Sequence, residues 1–196
     1  MVGLEPPGNV RRELALFRRR IFAALGAGSA LAFPEIVPLG FLRWPEPKPK
    51  GMKRRQLDDA LEVSWKSVAG RFVFEGIVEL DDGLYLGLGG PLRSLAESSC
   101  GALSTLGFRP EPEPPLTAAR GLFLCASPEG GTAQPGGLEL ELQVEGLGAP
   151  APSFADATLC LLRLDARGDA RVALTWTLIA RGKRRTGPGP RIAAAP

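Results

Sequence analysis

Histidine is absent from this sequence of 196 residues. Its absence removes the commonest general base, the commonest metal ligand and the side chain that most often changes charge near neutral pH. We therefore expect no cofactor and no metal site. Any acid–base chemistry would have to come from arginine, aspartate, glutamate or tyrosine side chains.

Cysteine is scarce as well. The chain has three cysteines, Cys100, Cys125 and Cys160, and no C-x-x-C pair. Because they are widely spaced and odd in number, they signal neither a zinc site nor a disulfide framework. They are predicted to be reduced and mostly buried thiols of a cytoplasmic protein.

Long apolar runs are missing too. Arg18-Arg19-Arg20 followed by residues 21–33 imitates the charged and apolar regions of a signal peptide, but Gly26 and Gly28 interrupt the apolar run. We predict neither a signal peptide nor a membrane partner. Hydrophobic residues make up 44% and charged residues 23% of the chain, as in ordinary globular proteins, and a net charge of +3 alone does not indicate nucleic-acid binding.

Helical periodicity predicts three helices. The first runs from an Asn9 N-cap to about Leu25 and ends at Gly26; the second runs from about Pro91 to Leu106. The first has an apolar face of Val10, Leu14, Phe17, Ile21 and Leu25, and an exposed face carrying Arg11, Arg12, Arg18 and Arg19. A third helix is favoured over residues 56–68, although Ser64 to Val68 could equally begin a strand.

Alternating apolar residues predict strands around and after the second helix. Phe72, Phe74, Val78 and Leu80 are predicted on one strand face, and Asp81-Asp82-Gly83 is the hairpin turn that follows. Further strands are predicted over residues 138–144, 158–164 and 171–180. Residues 127–137 are predicted to form a loop.

The order of these elements predicts an α+β fold. Helices and antiparallel strands alternate in a way that suits two lobes, each a helix packed on a sheet, within one domain spanning residues 1–180. Residues 181–196 are basic and then rich in proline, glycine and alanine, which predicts a disordered tail.

Two segments repeat one pattern of glycine, proline and apolar strand. The first is residues 33–42, in which Pro38 lacks a backbone N–H, so its strand must lie at a sheet edge or contain a bulge. The second begins with a proline-rich approach over residues 110–115, which cannot be helical, and continues into an apolar strand from Leu122 to Ala126.

These two segments resemble the motifs of the LigT-like two-histidine phosphoesterases, which include 2′-5′ RNA ligases and cyclic phosphodiesterases. The family's first motif resembles Ile36 to Leu42, with Ile36 and Pro38 at the histidine and threonine positions. Its second motif resembles Pro115 to Leu124, with Ala119 and Gly121 at those positions. The resemblance covers residues 2–180.

The resemblance implies a bilobal fold with pseudo-twofold symmetry and a central cleft, in which two histidines act as base and acid. Ile36 and Ala119 can neither accept nor donate a proton, so the family mechanism is not possible here. The chain is therefore predicted to be a pseudoenzyme without catalytic residues. We expect a non-enzymatic binding or interaction module whose partner, if not a protein, is RNA or a nucleotide bound weakly.

The candidate binding residues are polar side chains near the motifs or in basic runs. They are Arg120, Thr117, Tyr85, Lys53, Arg54 and Arg55. Strand alternation would place Ala119 and Gly121 inward and Arg120 outward, which favours Arg120 as a surface residue over Arg120 as an anion ligand. The basic runs, Lys53 to Arg55 and Arg181 to Arg185, are expected on mobile segments, either binding RNA backbone or simply solvated.

Two other interpretations stay open. In one, the protein is a phosphoesterase or RNA-processing enzyme with an active site relocated within the same cleft, which requires converging polar groups with shifted pKa values. In the other, the family resemblance is accidental. A cleft that is apolar or filled would instead favour the binding module.

Overall fold

The computed structural model describes residues 1–27, 29–46, 51–66, 68–112, 114, 116–126, 144–150, 153–166 and 174–183. Helices and strands alternate along these residues. The helices are α1 (Gly8–Leu25), α2 (Ser29–Ala32), α3 (Arg54–Ser64) and α4 (Leu92–Ser104). The strands are β1 (Val2–Glu5), β2 (Val37–Gly40), β3 (Leu42–Arg43), β4 (Phe72–Leu80), β5 (Gly83–Gly89), β6 (Arg109–Pro110), β7 (Gly121–Cys125), β8 (Ser153–Phe154), β9 (Thr158–Ala166) and β10 (Leu174–Lys183).

The strands form two four-stranded sheets and one two-stranded sheet. The first large sheet has the order β10-β9-β1-β2, the second has the order β7-β5-β4-β8, and β3 pairs with β6. Every described pairing is antiparallel. The predicted α+β class with antiparallel sheets is therefore confirmed.

In each large sheet, a helical connection joins an edge strand to the strand next to it. Strands β1 and β2 are connected through α1 and α2, and strands β5 and β7 through α4. The prediction that the strand of Pro38 lies at a sheet edge or contains a bulge is confirmed in its first form, since β2 pairs only with β1 inside its sheet. The missing N–H of a proline costs least at such a position.

Helix α1 confirms the predicted apolar face and the predicted C-terminal end, but not the predicted N-cap. Val10, Leu14, Phe17 and Ile21 are buried, and Gly26 ends the helix with φ 66°. Asn9 lies inside the helix and Pro7 occupies the N-cap position, so the predicted cap is wrong.

The prediction of an exposed Arg18 is also wrong. Only 1% of its surface is accessible. Arg18 is one helical turn beyond Leu14 and directly follows Phe17, so it lies in the buried stripe itself.

Helix α3 packs against β10, the outer strand of the first large sheet. The predicted register of Leu57, Leu61 and Trp65 is confirmed, since all three are buried. Trp65 Nε1 donates to the Gly182 carbonyl at 3.1 Å, and the Arg181 amide donates to Asp58 at 2.8 Å. These bonds occupy backbone groups at the end of an edge strand, which would otherwise be open to another chain.

Strand β4 departs from its predicted alternation. Phe72 and Phe74 are buried as expected, but Ile77 is the next buried residue and Val78 is 42% exposed. The register shifts between Phe74 and Gly76, and Gly76 has φ 118°. A bulge of this kind adds one residue to the strand and moves the following side chains to the other face.

The final strand extends further than predicted. Strands β9 and β10 form the expected antiparallel pair, but β10 continues to Lys183, so residues 181–183 belong to the sheet and not to a tail. The loop predicted over residues 127–137, the tail from residue 184 and all but the last residue of the strand predicted over residues 138–144 lie outside the described residues. Val144 itself is helical and not extended. None of the described helices has the length and apolar character needed to cross a membrane.

Candidate functional site

The two motif segments lie directly against each other. The Ala119 amide donates to the Pro38 carbonyl at 2.8 Å, and the Glu111 amide donates to the Phe41 carbonyl at 2.9 Å. Together with the β3–β6 pair, these bonds join residues 38–43 to residues 109–111 and to Ala119. We call this contact the seam. At the level of Ala119 it leaves no gap between the two backbones for a substrate.

The first motif position is apolar and buried. Ile36 is 9% exposed and packs with Met1, Cys160 and Leu162 on the face of the first sheet that points away from α1. A side chain at Gly3, on the neighbouring strand, would run into Ile36. Ile36 therefore fills its site with hydrocarbon and offers no group for proton transfer.

The second motif position does not lie in a strand. Strand β7 begins only at Gly121, and Ala119 has φ 55°, in the left-handed region. The strand alternation predicted for residues 119–121 therefore does not apply to Ala119 or Arg120. Arg120 is exposed, and its carbonyl accepts the Leu88 amide at 3.1 Å.

Gly121 has no room for the family's threonine. A β-carbon added there would overlap the carbonyl oxygen of Leu86 in the neighbouring strand. A larger residue at position 121 would therefore collide with backbone atoms, which cannot rotate away as a side chain can.

Tyr85 and Thr117 are brought together, and Asp82 joins them. The Tyr85 hydroxyl donates to Asp82 Oδ2 at 2.8 Å. The Thr117 amide donates to the same Asp82 oxygen and lies 3.0 Å from the Tyr85 hydroxyl. Asp82 was predicted only as a turn residue; its position three residues before Tyr85, across a tight hairpin, is the signal that could have found it.

The hydrogen bonds among Asp82, Tyr85 and Thr117 hold a loop in place. Burial and the neighbouring Asp82 carboxylate raise the pKa of Tyr85, so its hydroxyl stays protonated and acts as a donor. The bonds tie the loop before β7 to the β4–β5 hairpin. The second Asp82 oxygen, Oδ1, is buried and has no hydrogen-bond partner.

Aromatic rings from the two large sheets meet at Phe33. Phe33 packs on Phe123 of β7 with ring centroids 4.9 Å apart, and on Trp176 of β10 at 5.5 Å. Tyr85 packs edge-on against Phe123 at 5.5 Å. Since β7 and β10 belong to different sheets, Phe33 links them through an apolar contact.

Arg18 contacts the segment that leads into the first motif. Its guanidinium donates to the Phe33 carbonyl and lies 3.6 Å from Glu35. Burial lowers the pKa of Arg18 to about 10, partly opposed by Glu35. Its Nε and Nη2 groups have no hydrogen-bond partner, so the residue carries an unusual desolvation cost.

The predicted basic cluster is not on a mobile segment. Lys53 is the N-cap of α3, and Arg54 and Arg55 begin the helix, so this expectation is wrong. Arg54 lies 3.8 Å from Asp58 and Arg55 lies 3.9 Å from Asp59. Helix α3 packs on α4 and β10, so these residues do not join the Tyr85 and Thr117 cluster.

The second basic run, Arg181 to Arg185, lies only partly within the described residues. Arg181 lies in β10 and contacts Glu5 at 3.2 Å, where Arg11 also binds the same carboxylate at 2.6 Å. Cys160 donates to the other oxygen of Glu5 at 3.4 Å. Residues 184 and 185 lie outside the described part of the chain.

No family model, curated protein or solved structure matches the chain. Within the described residues, acidic and cysteine side chains form no group of three or more that could hold a metal ion. A function therefore has to be argued from the geometry of the seam.

Proposed function

We propose that this protein is a catalytically inactive, LigT-like binding module with two lobes. The repeated connection of the sheets supports the bilobal plan. In β1-α1-β2 and in β5-α4-β7, a helix leads to an edge strand, and the two edge strands β2 and β7 adjoin each other at the seam. In the pseudo-twofold relation that we propose between the lobes, β2 would correspond to β7, β1 to β5 and β9 to β4.

The single observation that carries the proposal is the closed seam. Ile36 is buried in an apolar cluster, Ala119 is bonded to Pro38 through its backbone, and Phe33 bridges the sheets. A hydrolase needs a base and an acid on opposite sides of a scissile bond. Apolar side chains and direct backbone bonding at these positions favour a scaffold over an enzyme.

The module binds through its surface, with RNA or a nucleotide as the weak partner that we propose. The chain carries a net charge of +3, which favours an anionic partner. Arg120, at the outer side of the seam, is exposed and available to a phosphate.

A binding titration tests this proposal. Short single-stranded RNA and 2′,3′-cyclic nucleotides are titrated at low and at physiological salt into the wild type, Arg120→Ala and Arg93→Ala. Arg93 is an exposed arginine of α4, so its replacement removes the same charge elsewhere. We expect weak binding without turnover. Turnover of the cyclic nucleotide would contradict the proposal.

A second candidate is a relocated active site at the Asp82, Tyr85 and Thr117 cluster. The buried and unpartnered Asp82 Oδ1, beside the second motif, is the observation that favours it. If this site is catalytic, Asp82→Asn abolishes hydrolysis of a cyclic nucleotide while the protein stays folded. If it only holds the loop, the wild type shows no hydrolysis to lose.

A further inference from the structure

Two arginines meet on one buried glutamate at the end of the first large sheet. Glu5 is the last residue of β1, and its side chain is 9% exposed. Arg11 Nη1 lies 2.6 Å from Glu5 Oε1, and Arg181 Nη2 lies 3.2 Å from the same oxygen. Because one oxygen atom contacts both guanidinium groups, they are close enough for a single small anion to bridge them. We call Arg11 and Arg181 the arginine pair.

The register of the sheet brings the arginine pair together. In the order β10-β9-β1, Arg181 lies opposite Cys160 of β9, and Glu5 lies opposite Thr158 of the same strand. Residues two apart on a strand share one face, and Cys160 Sγ accordingly lies 3.4 Å from Glu5 Oε2. Arg11 reaches the same carboxylate from the start of α1. Two strands and a helix thus fix the positions of the three charges.

The arginine pair carries more positive charge than its contacting carboxylates remove. Glu5 accepts from one nitrogen of each guanidinium, whereas a guanidinium has five N–H donors. Asp58 accepts the Arg181 backbone amide at 2.8 Å, but it has its own cation, Arg54, at 3.8 Å. Two guanidinium groups therefore share one carboxylate. Like charges at this separation repel, so a further anion would stabilise the pair.

Both guanidinium groups are within reach of a ligand. The Arg11 side chain is 43% exposed and the Arg181 side chain is 46% exposed. Since the buried Glu5 already holds both side chains, an anion that binds them costs less conformational entropy than it would at two unrestrained surface arginines. Guanidinium groups match the oxygens of a phosphate in geometry and charge.

We propose that Arg11 and Arg181 bind a phosphate group of a nucleotide or of single-stranded RNA. This inference rests on the proposed function, since it names the surface through which the inactive module binds. The site lies on the side of the first sheet that carries Ile36, because Cys160 contacts Glu5 and packs in one cluster with Ile36. Glu5 competes with the phosphate, which keeps the binding weak. No proton transfer is involved, so the site needs no histidine.

Anisotropy titrations of a labelled hexaadenylate at several salt concentrations test the assignment. Arg11→Ala and Arg181→Ala should each bind about tenfold more weakly at low salt, through the loss of a charge-assisted hydrogen bond. Each should also reduce the slope of log K against log salt concentration by about 0.7, the value for one phosphate contact of a single strand. Arg12→Ala is the matched control, because Arg12 is exposed on the same helix and no described residue pairs with it.

Glu5→Gln distinguishes a phosphate site from a purely structural cluster. Glutamine keeps the length of the side chain and an acceptor oxygen, but it removes the negative charge that competes with phosphate. This variant should therefore bind the RNA more tightly than the wild type. If the arginine pair serves only to neutralise Glu5, the folded variant binds no more tightly, and the assignment fails.

Thermal unfolding with inorganic phosphate, compared with chloride at matched ionic strength, tests the site without RNA. Phosphate should raise the Tm of the wild type more than that of Arg11→Ala. Equal shifts in these two proteins, or equal losses of RNA binding in Arg11→Ala and Arg12→Ala, would overturn the assignment.

The same measurements separate this inference from the proposed function. RNA binding that depends on Arg120 but not on Arg11 or Arg181 defeats only the inference. Stabilisation by phosphate without binding of RNA or a nucleotide would leave an adventitious ion only, and it defeats both. Hydrolysis of RNA or of a cyclic nucleotide defeats the proposed function instead.

Discussion

Position 119 holds an alanine in a left-handed backbone conformation, with φ 55°. The β-carbon of an L-residue crowds the following carbonyl there, whereas glycine adopts the same conformation freely. The bond from Ala119 to Pro38 uses only backbone atoms, so the seam depends on this conformation but not on the side chain.

Replacing Ala119 by glycine should therefore stabilise the protein. Relief of about 1–2 kcal/mol of strain exceeds the extra entropy of glycine in the unfolded chain, about 0.4–1 kcal/mol. We expect the free energy of unfolding to rise by up to about 1 kcal/mol. Urea denaturation measures it.

Ala118→Gly is the control for that substitution. Ala118 is not among the residues with positive φ, so glycine there brings only the entropic penalty. It should lower the unfolding free energy. Equal effects of the two substitutions would show that position 119 is not strained.

The buried thiols predict how stability depends on pH. Burial raises the pKa of Cys160 to about 12, helped by the Glu5 carboxylate, and burial raises the pKa of Cys125 to about 11. Unfolded thiols ionise near pH 8.5. Between pH 9 and 10 the unfolded chain therefore loses protons that the folded chain retains.

Stability should thus be full below about pH 8.5 and should fall as pH rises, by up to about 1.4 kcal/mol per pH unit for each thiol. Cys160→Ala should make that fall shallower. Urea denaturation at several pH values in this window, under reducing conditions, measures both slopes. Parallel slopes in the wild type and in Cys160→Ala would contradict the burial of this thiol as a neutral group.

At the level of elements, the contact of α3 with β10 depends on a glycine. A β-carbon at Gly182 would lie 2.5 Å from the Leu61 carbonyl carbon and 2.7 Å from the Glu62 amide nitrogen. These are helix backbone atoms, so a larger residue must push the whole of α3 away from the strand. The Trp65 and Asp58 bonds to β10 would lengthen with it.

Gly182→Ala should accordingly lower the unfolding free energy by about 1–3 kcal/mol, the usual cost of overpacking. Gly101→Ala is the opposite case, since Gly101 lies in α4 with open space around its position. Alanine there should stabilise by up to about 1 kcal/mol. A neutral Gly182→Ala would show that α3 does not lie against β10 as described. Thermal unfolding of the two variants gives the comparison.

An element could be predicted from the sequence where its pattern lies within a few neighbouring residues. The apolar stripe of α1 and the hairpin at Asp82 each follow from a few neighbouring residues, and both are confirmed. Pro38 required an edge or a bulge, and the structure shows the edge. The bulge at Gly76 was missed because a glycine in a strand does not reveal by itself whether the ladder slips.

The candidate site was less predictable, because it is built from contacts distant in sequence. Tyr85 and Thr117 were named separately, but their meeting at Asp82 depends on how the loop before β7 packs on a hairpin more than 30 residues earlier. Arg18 was placed outside although its spacing from Leu14 already indicated burial. The prediction gave more weight to the charge of arginine than to the position of residue 18 in the helical pattern.

For the whole molecule, we propose that the seam joining the two sheets is closed and that the protein binds a partner without catalysing a reaction. Ile36 and Ala119 occupy the positions where the resemblance implies histidines, and Phe33 contacts an aromatic ring of each sheet. Arg120 is exposed outside that closed region. Binding and turnover are thus expected to be separable.

A ³¹P NMR time course with 2′,3′-cyclic AMP tests that claim most directly, because one spectrum reports both binding and cleavage. We expect a phosphorus resonance that shifts or broadens with protein concentration, while no monophosphate product forms above the rate in buffer. Accumulation of product in proportion to protein, lost in Asp82→Asn but not in Arg93→Ala, would contradict this proposal and indicate an active site beside the second motif.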